Sequence, residues 1–193
     1  MNPFVFPLMI LAGVAVLRAA LKGAGAEKVS FSIAGKKVLL VGDSLAVGLS
    51  PPLKKLVEAD GGQLSTRATV GTTIRQWARS PWLAASLASA RPALVVASLG
   101  TNDLPLAGDR SEDVTSIVDQ VRAAGAELVW VEPPTMTLPD RGNIRATLHR
   151  LVPASSLFPG PSVRFERAPD RIHATPKGYA ELAAAVWDWM KRR

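Results

Sequence analysis

The chain has 193 residues, 48% hydrophobic, 20% charged and 6% aromatic, with a mean hydropathy of +0.17; this excludes a disordered, collagenous or coiled-coil chain. Lys and Arg number 23 against 16 Asp and Glu, a net charge of +7 and a pI near 10.2, which admits an acidic partner without requiring one. With no cysteine and two histidines, disulfide frameworks, thiolate zinc sites and cysteine nucleophiles are excluded.

The first element is apolar. Residues 1–17 carry no charged side chain, and the apolar stretch runs on through Arg18 to Leu21. That length is borderline for a bilayer span of roughly 20 residues. Three readings stand: an N-terminal apolar helix acting as membrane anchor, a signal peptide cut after the small residues Ala24-Gly25-Ala26, or a helix built into a larger assembly such as a virion. Arg18, Lys22, Lys28, Lys36 and Lys37 lie on its C-terminal side, which the positive-inside rule keeps in the cytoplasm for an anchor. Residues 22–35 read as a linker rich in Gly, Ala and Ser, and residues 36–193 as the folded domain.

From Lys37 onward, short apolar runs alternate with helical stretches. Strands are expected at 38–41, 64–69, 94–99, 128–131 and 163–165; the first, third and fourth are continuous apolar runs of the kind buried on both faces of a parallel sheet. Helices are expected at 51–59 after a Ser50 cap, at 73–90 with a break near Pro81, at 111–124, at 143–152, and from Thr175-Pro176 to the C-terminus. Five strands alternating with helices predict a three-layer α/β domain. The arginines at 75, 79, 91, 141, 145 and 150 are dispersed without interleaved aromatics, so a solvated basic face is expected and no nucleic acid partner. Trp77 and Trp82 are expected in the core, with the mouth of a site as the alternative.

In such sheets, ligands bind where loops leave the C-terminal ends of strands. Four loops fall there: Gly42-Asp43-Ser44-Leu45, Val70-Gly71-Thr72-Thr73, Gly100-Thr101-Asn102-Asp103 and Asp170-Arg171-Ile172-His173. A serine hydroxyl needs a base, and the base needs an orienting group. His149 lies within an amphipathic helical stretch and reads as a helix-surface residue. His173 follows Asp170 by three residues, a spacing at which a turn can set the carboxylate against one imidazole nitrogen and leave the other facing Ser44. Candidate donors for an oxyanion are the Ser44 N–H, the Gly71 N–H and the Asn102 side-chain amide. Each block alone has a bland reading, as a turn, a loop cap or the start of a helix.

Together, in this order, the four blocks resemble those of the SGNH/GDSL hydrolases over residues 37 to 190. The resemblance implies a flavodoxin-like α/β/α sandwich with a five-stranded parallel sheet. It also implies a catalytic triad of Ser44 as nucleophile, His173 as base and Asp170 as its orienting acid, an oxyanion hole of Ser44, Gly71 and Asn102, and structural roles for Asp43 and Asp103. Thr175 to Tyr179 is similar to the family's usual start of the last helix. Arg171 departs from the small residue many relatives carry, which makes the mouth more basic. The block around Gly71 matches in little beyond the glycine. The Ser44 loop is neither a Gly-x-Ser-x-Gly elbow nor a phosphate-binding Gly-Lys-Ser/Thr loop.

The expected activity is a serine esterase removing a short acyl group, foremost O-acetyl, from a carbohydrate or lipid, with no metal or organic cofactor. Two alternatives are an O-acetyltransferase using the same triad, and a structural or anchoring protein of a membrane or virion that keeps the fold.

Overall fold

Along their strands, Val38, Leu40, Leu94, Val96, Val129 and Val131 face one way, while Leu39, Val41, Val95, Ala97, Leu128 and Trp130 face the other, and both sets are buried. A strand apolar on both faces needs cover on both, which is the condition for a three-layer sandwich. The computed structural model describes residues 32–193, and the apolar segment 1–21 and most of the linker 22–35 lie outside the described residues. No described helix is long and apolar enough to cross a membrane. Ile33, in the stretch read as linker, is buried in one of the two cores.

The sheet is parallel and five-stranded, in the order β2-β1-β3-β4-β5. Its strands are β1 Lys37–Gly42, β2 Gln63–Ala68, β3 Leu94–Ser98, β4 Glu127–Val131 and β5 Leu157–Phe158. Helices α1 Ser44–Ala59 and α6 Pro176–Arg192 cover one face. The other is covered by α2 Ile74–Arg79, α3 Trp82–Ala90, α4 Ser111–Ala123 and α5 Ile144–Leu151. The strand order reverses between β1 and β3, and the loops leaving these two strands diverge to opposite faces, opening a crevice at their C-terminal ends.

Two expected elements shift. The fifth strand is at Leu157–Phe158, where Trp130 and Val131 pair with it, and not at 163–165. Pro159 and Pro161 have no N–H to extend the ladder, and Gly160 is pressed against the Glu132 carbonyl. Val163 and Phe165 beyond this turn pack on the core without pairing. The first helix begins at Ser44, not at Pro51, because the Asp43 carboxylate accepts from the Leu45 amide and caps it. Pro51 and Pro52 then fall inside the helix, where each lacks an amide hydrogen. They lie towards its outer side, while Leu49, Leu53 and Val57 hold the inner side to the sheet.

Candidate active site

Gly42 ends β1 so close to β3 that a Cβ there would lie 2.1 Å from the Ser98 carbonyl oxygen. This close approach lets the Asp43 amide donate to that oxygen at 3.2 Å and turns the chain directly into α1. Ser44 is the first residue of that helix. Its N–H is one of the leading amides that have no intrahelical acceptor, and it sits at the positive end of the helix dipole. The half-buried side chain places Oγ 2.8 Å from Nε2 of His173.

The histidine is held by a tight turn. One oxygen of Asp170 accepts the amides of Ile172 and His173, both at 2.9 Å, and the other lies 2.6 Å from Nδ1 of His173. The imidazole hydrogen bond, followed by the two amides, holds the Asp170 carboxyl down at about 2. An ionised carboxylate only accepts, so the Nδ1 proton faces Asp170 and the lone pair of Nε2 is left for the serine hydroxyl. Arg171 adopts a left-handed conformation, φ +60°, and its amide donates to the Ala168 carbonyl, closing the turn. Thr175 then caps α6 by accepting the Gly178 amide. Ser44 and the Asp170–His173 turn, which the sequence singled out in two distant segments, therefore form one hydrogen-bonded line.

Gly71, Asn102 and Ser44 are brought to the same end of the sheet by three knitted loops. Gly71 has φ +78° and open space where a Cβ would be, so the position needs the backbone conformation and not the room. Next to it, the Thr72 hydroxyl donates to the Thr69 carbonyl at 2.8 Å and accepts from the Trp77 indole at 3.0 Å. The Asn102 amide donates to the Thr72 carbonyl at 2.9 Å and reaches Asp43 at 3.5 Å. Asp103, fully buried, accepts the Ile74 amide at 2.8 Å and Arg110 Nε at 3.0 Å, tying the Asn102 loop to α2. Burial pushes the Asp43 carboxyl up to about 7 against the opposing pull of the Leu45 amide.

Trp77 is core, as its spacing suggests, but its indole also braces Thr72, a link with no signature in the sequence. Arg110, the partner of Asp103, carries no sequence signal either. Trp82 stacks edge-on against Trp77 at 5.8 Å and borders a cavity of about 350 Å3 over β2; among Ser44, Gly71, Asn102 and His173, none lines it. His149 lies on the exposed side of α5, with Nε2 3.4 Å from the buried Glu132.

Residues 37–156 match the family described as "Protein of unknown function (DUF459)". No curated protein matches the chain. Among solved structures, it is similar to TesA, with 23% identity, a TM-score of 0.63, and 81% of this chain and 99% of that one covered. A GDSL-like lipase from Bacteroides thetaiotaomicron is 15% identical, with a TM-score of 0.60 and coverage of 81% and 88%. A catalytic mutant of Axe2, an acetylxylan esterase from Geobacillus stearothermophilus, is 15% identical, with a TM-score of 0.57 and coverage of 83% and 96%. With most of its sheet and loops inside the matched span, the chain belongs to the DUF459 family, and its fold is that of the SGNH/GDSL hydrolases.

Proposed function

We propose that this protein is a serine esterase that hydrolyses short acyl esters, foremost O-acetyl groups on a carbohydrate or lipid alcohol, through an acyl-enzyme on Ser44. The observation that carries the reading is the line Ser44 Oγ, His173 Nε2, His173 Nδ1, Asp170 Oδ2, with separations of 2.8 and 2.6 Å, at the mouth of the crevice between β1 and β3. Its likeness in fold to an acetylxylan esterase supports the acetylated carbohydrate as one substrate class.

In the first half-reaction, Nε2 of His173 takes the serine proton as Oγ attacks the ester carbonyl carbon. The carbonyl π pair moves onto oxygen, and the resulting oxyanion is met by the Ser44 and Gly71 amides and the Asn102 side-chain amide. As the oxyanion collapses, the bond to the alcohol oxygen breaks and His173 returns its proton to that oxygen. Water, deprotonated by His173, then attacks the acyl-Ser44 carbonyl, and the carboxylic acid leaves as Oγ is reprotonated. Asp170 keeps its charge throughout and stabilises the imidazolium formed in each half. The side chains of His173 and Asp170 are 38% and 48% exposed among the described residues, so water has direct access to the relay as the acceptor for hydrolysis.

Release of p-nitrophenol from p-nitrophenyl acetate by the full chain, with Ser44→Ala and His173→Ala beside it, tests the reading. Turnover by the wild type that both substitutions remove supports it, and turnover that survives Ser44→Ala overturns it.

A further inference from the structure

Beyond the relay, α1 and α6 touch at a second rung. Gly48 lies one turn along α1 from Ser44, and the ring of Tyr179 lies across it so closely that a Cβ on Gly48 would come within 2.0 Å of the ring. The rung above it is the contact of Ser44 with His173. Below Tyr179 a groove of about 590 Å3 runs along the outer side of the two helices, which stay paired as far as Asp60 and Lys191. One wall continues the stripe of Ser44 along α1, through Gly48, Pro52 and Leu56 at intervals of four residues, with Lys55 bringing one charged side chain to its edge. The facing wall is Tyr179, Ala180 and Ala184 of α6. Tyr179 is packed where burial raises its phenol, and the Ala174 amide beside His173 acts on the hydroxyl. The groove therefore starts one helical turn beyond the reactive pair, on the two helices that Ser44 and the His173 turn open; neither Ser44 nor His173 lines it.

We infer that this groove holds the alcohol half of the ester, and that this alcohol carries an extended apolar chain. The inference rests on the esterase reading of Ser44, His173 and Asp170. The two halves of the substrate are assigned by proton traffic. The departing oxygen must lie against His173 to receive its proton, and His173 stands on the turn that opens α6. The oxyanion points instead to the loops of Gly71 and Asn102, after β2 and β3. The alcohol is thus delivered to the α1–α6 side, where the groove begins. From Gly48 to Leu56 the helix rises about 12 Å, which accommodates an extended chain of about ten bonds at ~1.2 Å per bond. A bare polysaccharide does not use such a surface, whereas an acetylated lipid alcohol or an acetylated sugar with an alkyl aglycone does.

The test is a series of acetate esters of ethanol, butanol, hexanol and octanol hydrolysed by the full chain. Below micellar concentrations, kcat/KM is expected to rise about two- to fourfold per added CH2, with the gain in KM. In Ala184→Trp, which fills the groove from an exposed position on α6, the series flattens. In Ala88→Trp, on α3 across the sheet, the slope persists. Lengthening the acyl half at constant ethanol gives no gain sensitive to Ala184→Trp. In parallel, calorimetric titration of the full-length Ser44→Ala protein with octyl acetate is expected to show saturable binding that Ala184→Trp weakens at least tenfold.

A flat alcohol series with good turnover overturns the groove assignment and leaves the esterase reading standing. A slope that follows the acyl half overturns the assignment of the halves. Absence of any turnover overturns the esterase reading, and the titration then decides the groove alone: no octyl acetate binding removes it. Concentration-dependent dimerisation that Ala184→Trp abolishes, together with no binding of octyl acetate, overturns the proposal in favour of a second copy of this chain.

Discussion

Asp170 is the residue whose exposure decides how much its loss should matter. Its carboxylate is half open to solvent yet holds three hydrogen bonds, so Asp170→Ala frees both the imidazole and the turn, while water partly replaces the charge. We expect kcat to fall on the order of 10^2- to 10^3-fold, less than for buried triad acids, with steady-state kinetics as the measurement. Because its pKa is held at about 2, Asp170 stays ionised across the working range. Asp170 itself is therefore expected to add no limb to the kcat profile between about pH 4 and about pH 9; a limb in that range that disappears in Asp170→Asn contradicts this. Asn102→Ala is expected to lower kcat about 10^2- to 10^3-fold with little change in KM, the signature of a donor that acts on the oxyanion. The pairing of Ser44 with His173 and Asp170 was legible because the chain holds only two histidines and only His173 has an acid three residues before it, although the strand expected ahead of that turn is not formed. The braces were not: Trp77 to Thr72 and Arg110 to Asp103 are ordinary side chains whose meeting depends on how α2 and α4 dock.

At the scale of elements, the start of α1 couples stability to pH. Burial raises Asp43 from 3.8 to about 7, so between those values the folded chain keeps a proton that the unfolded chain has released. The contribution of Asp43 is thus fully present below pH 3.8 and is lost as pH rises through 7. Denaturation of wild type and Asp43→Asn across this range is expected to show the wild type losing ground as pH rises; a parallel pair of curves contradicts the burial effect. Leu40, central in β1 and fully buried, is expected to cost about 2–5 kcal/mol as Leu40→Ala, read from the denaturant midpoint. The continuous apolar strands β1, β3 and β4 were legible because burial on both faces leaves no polar position in the run. β5 was not, since two residues followed by Pro159-Gly160-Pro161 carry too little pattern, and Val163 and Phe165 mimic a strand while only packing. The start of α1 was missed because Pro51-Pro52 signals a helix N-terminus more strongly than a buried Asp43 does.

Among the described residues, the candidate site lies on one rim of the sheet. The reversal of strand order between β1 and β3 brings Ser44 and Asn102 to the same crevice, and parallel pairing of β2 with β1 sets Gly71 beside them. His173 arrives from the far end of the sequence, on the turn before α6, and α6 packs against α1. The architecture thus gathers four segments separated by up to 129 positions, and each block gains its meaning only from this convergence.

Covalent labelling tests the central claim most directly. The full chain is treated with diethyl p-nitrophenyl phosphate, an ester that phosphorylates an activated serine without turning over, and the product is measured by intact mass and peptide mapping. One diethylphosphoryl group per chain, mapped to Ser44, absent from Ser44→Ala and slowed in His173→Ala, is the predicted result. No label on folded wild-type chain, or equal labelling in Ser44→Ala, contradicts it.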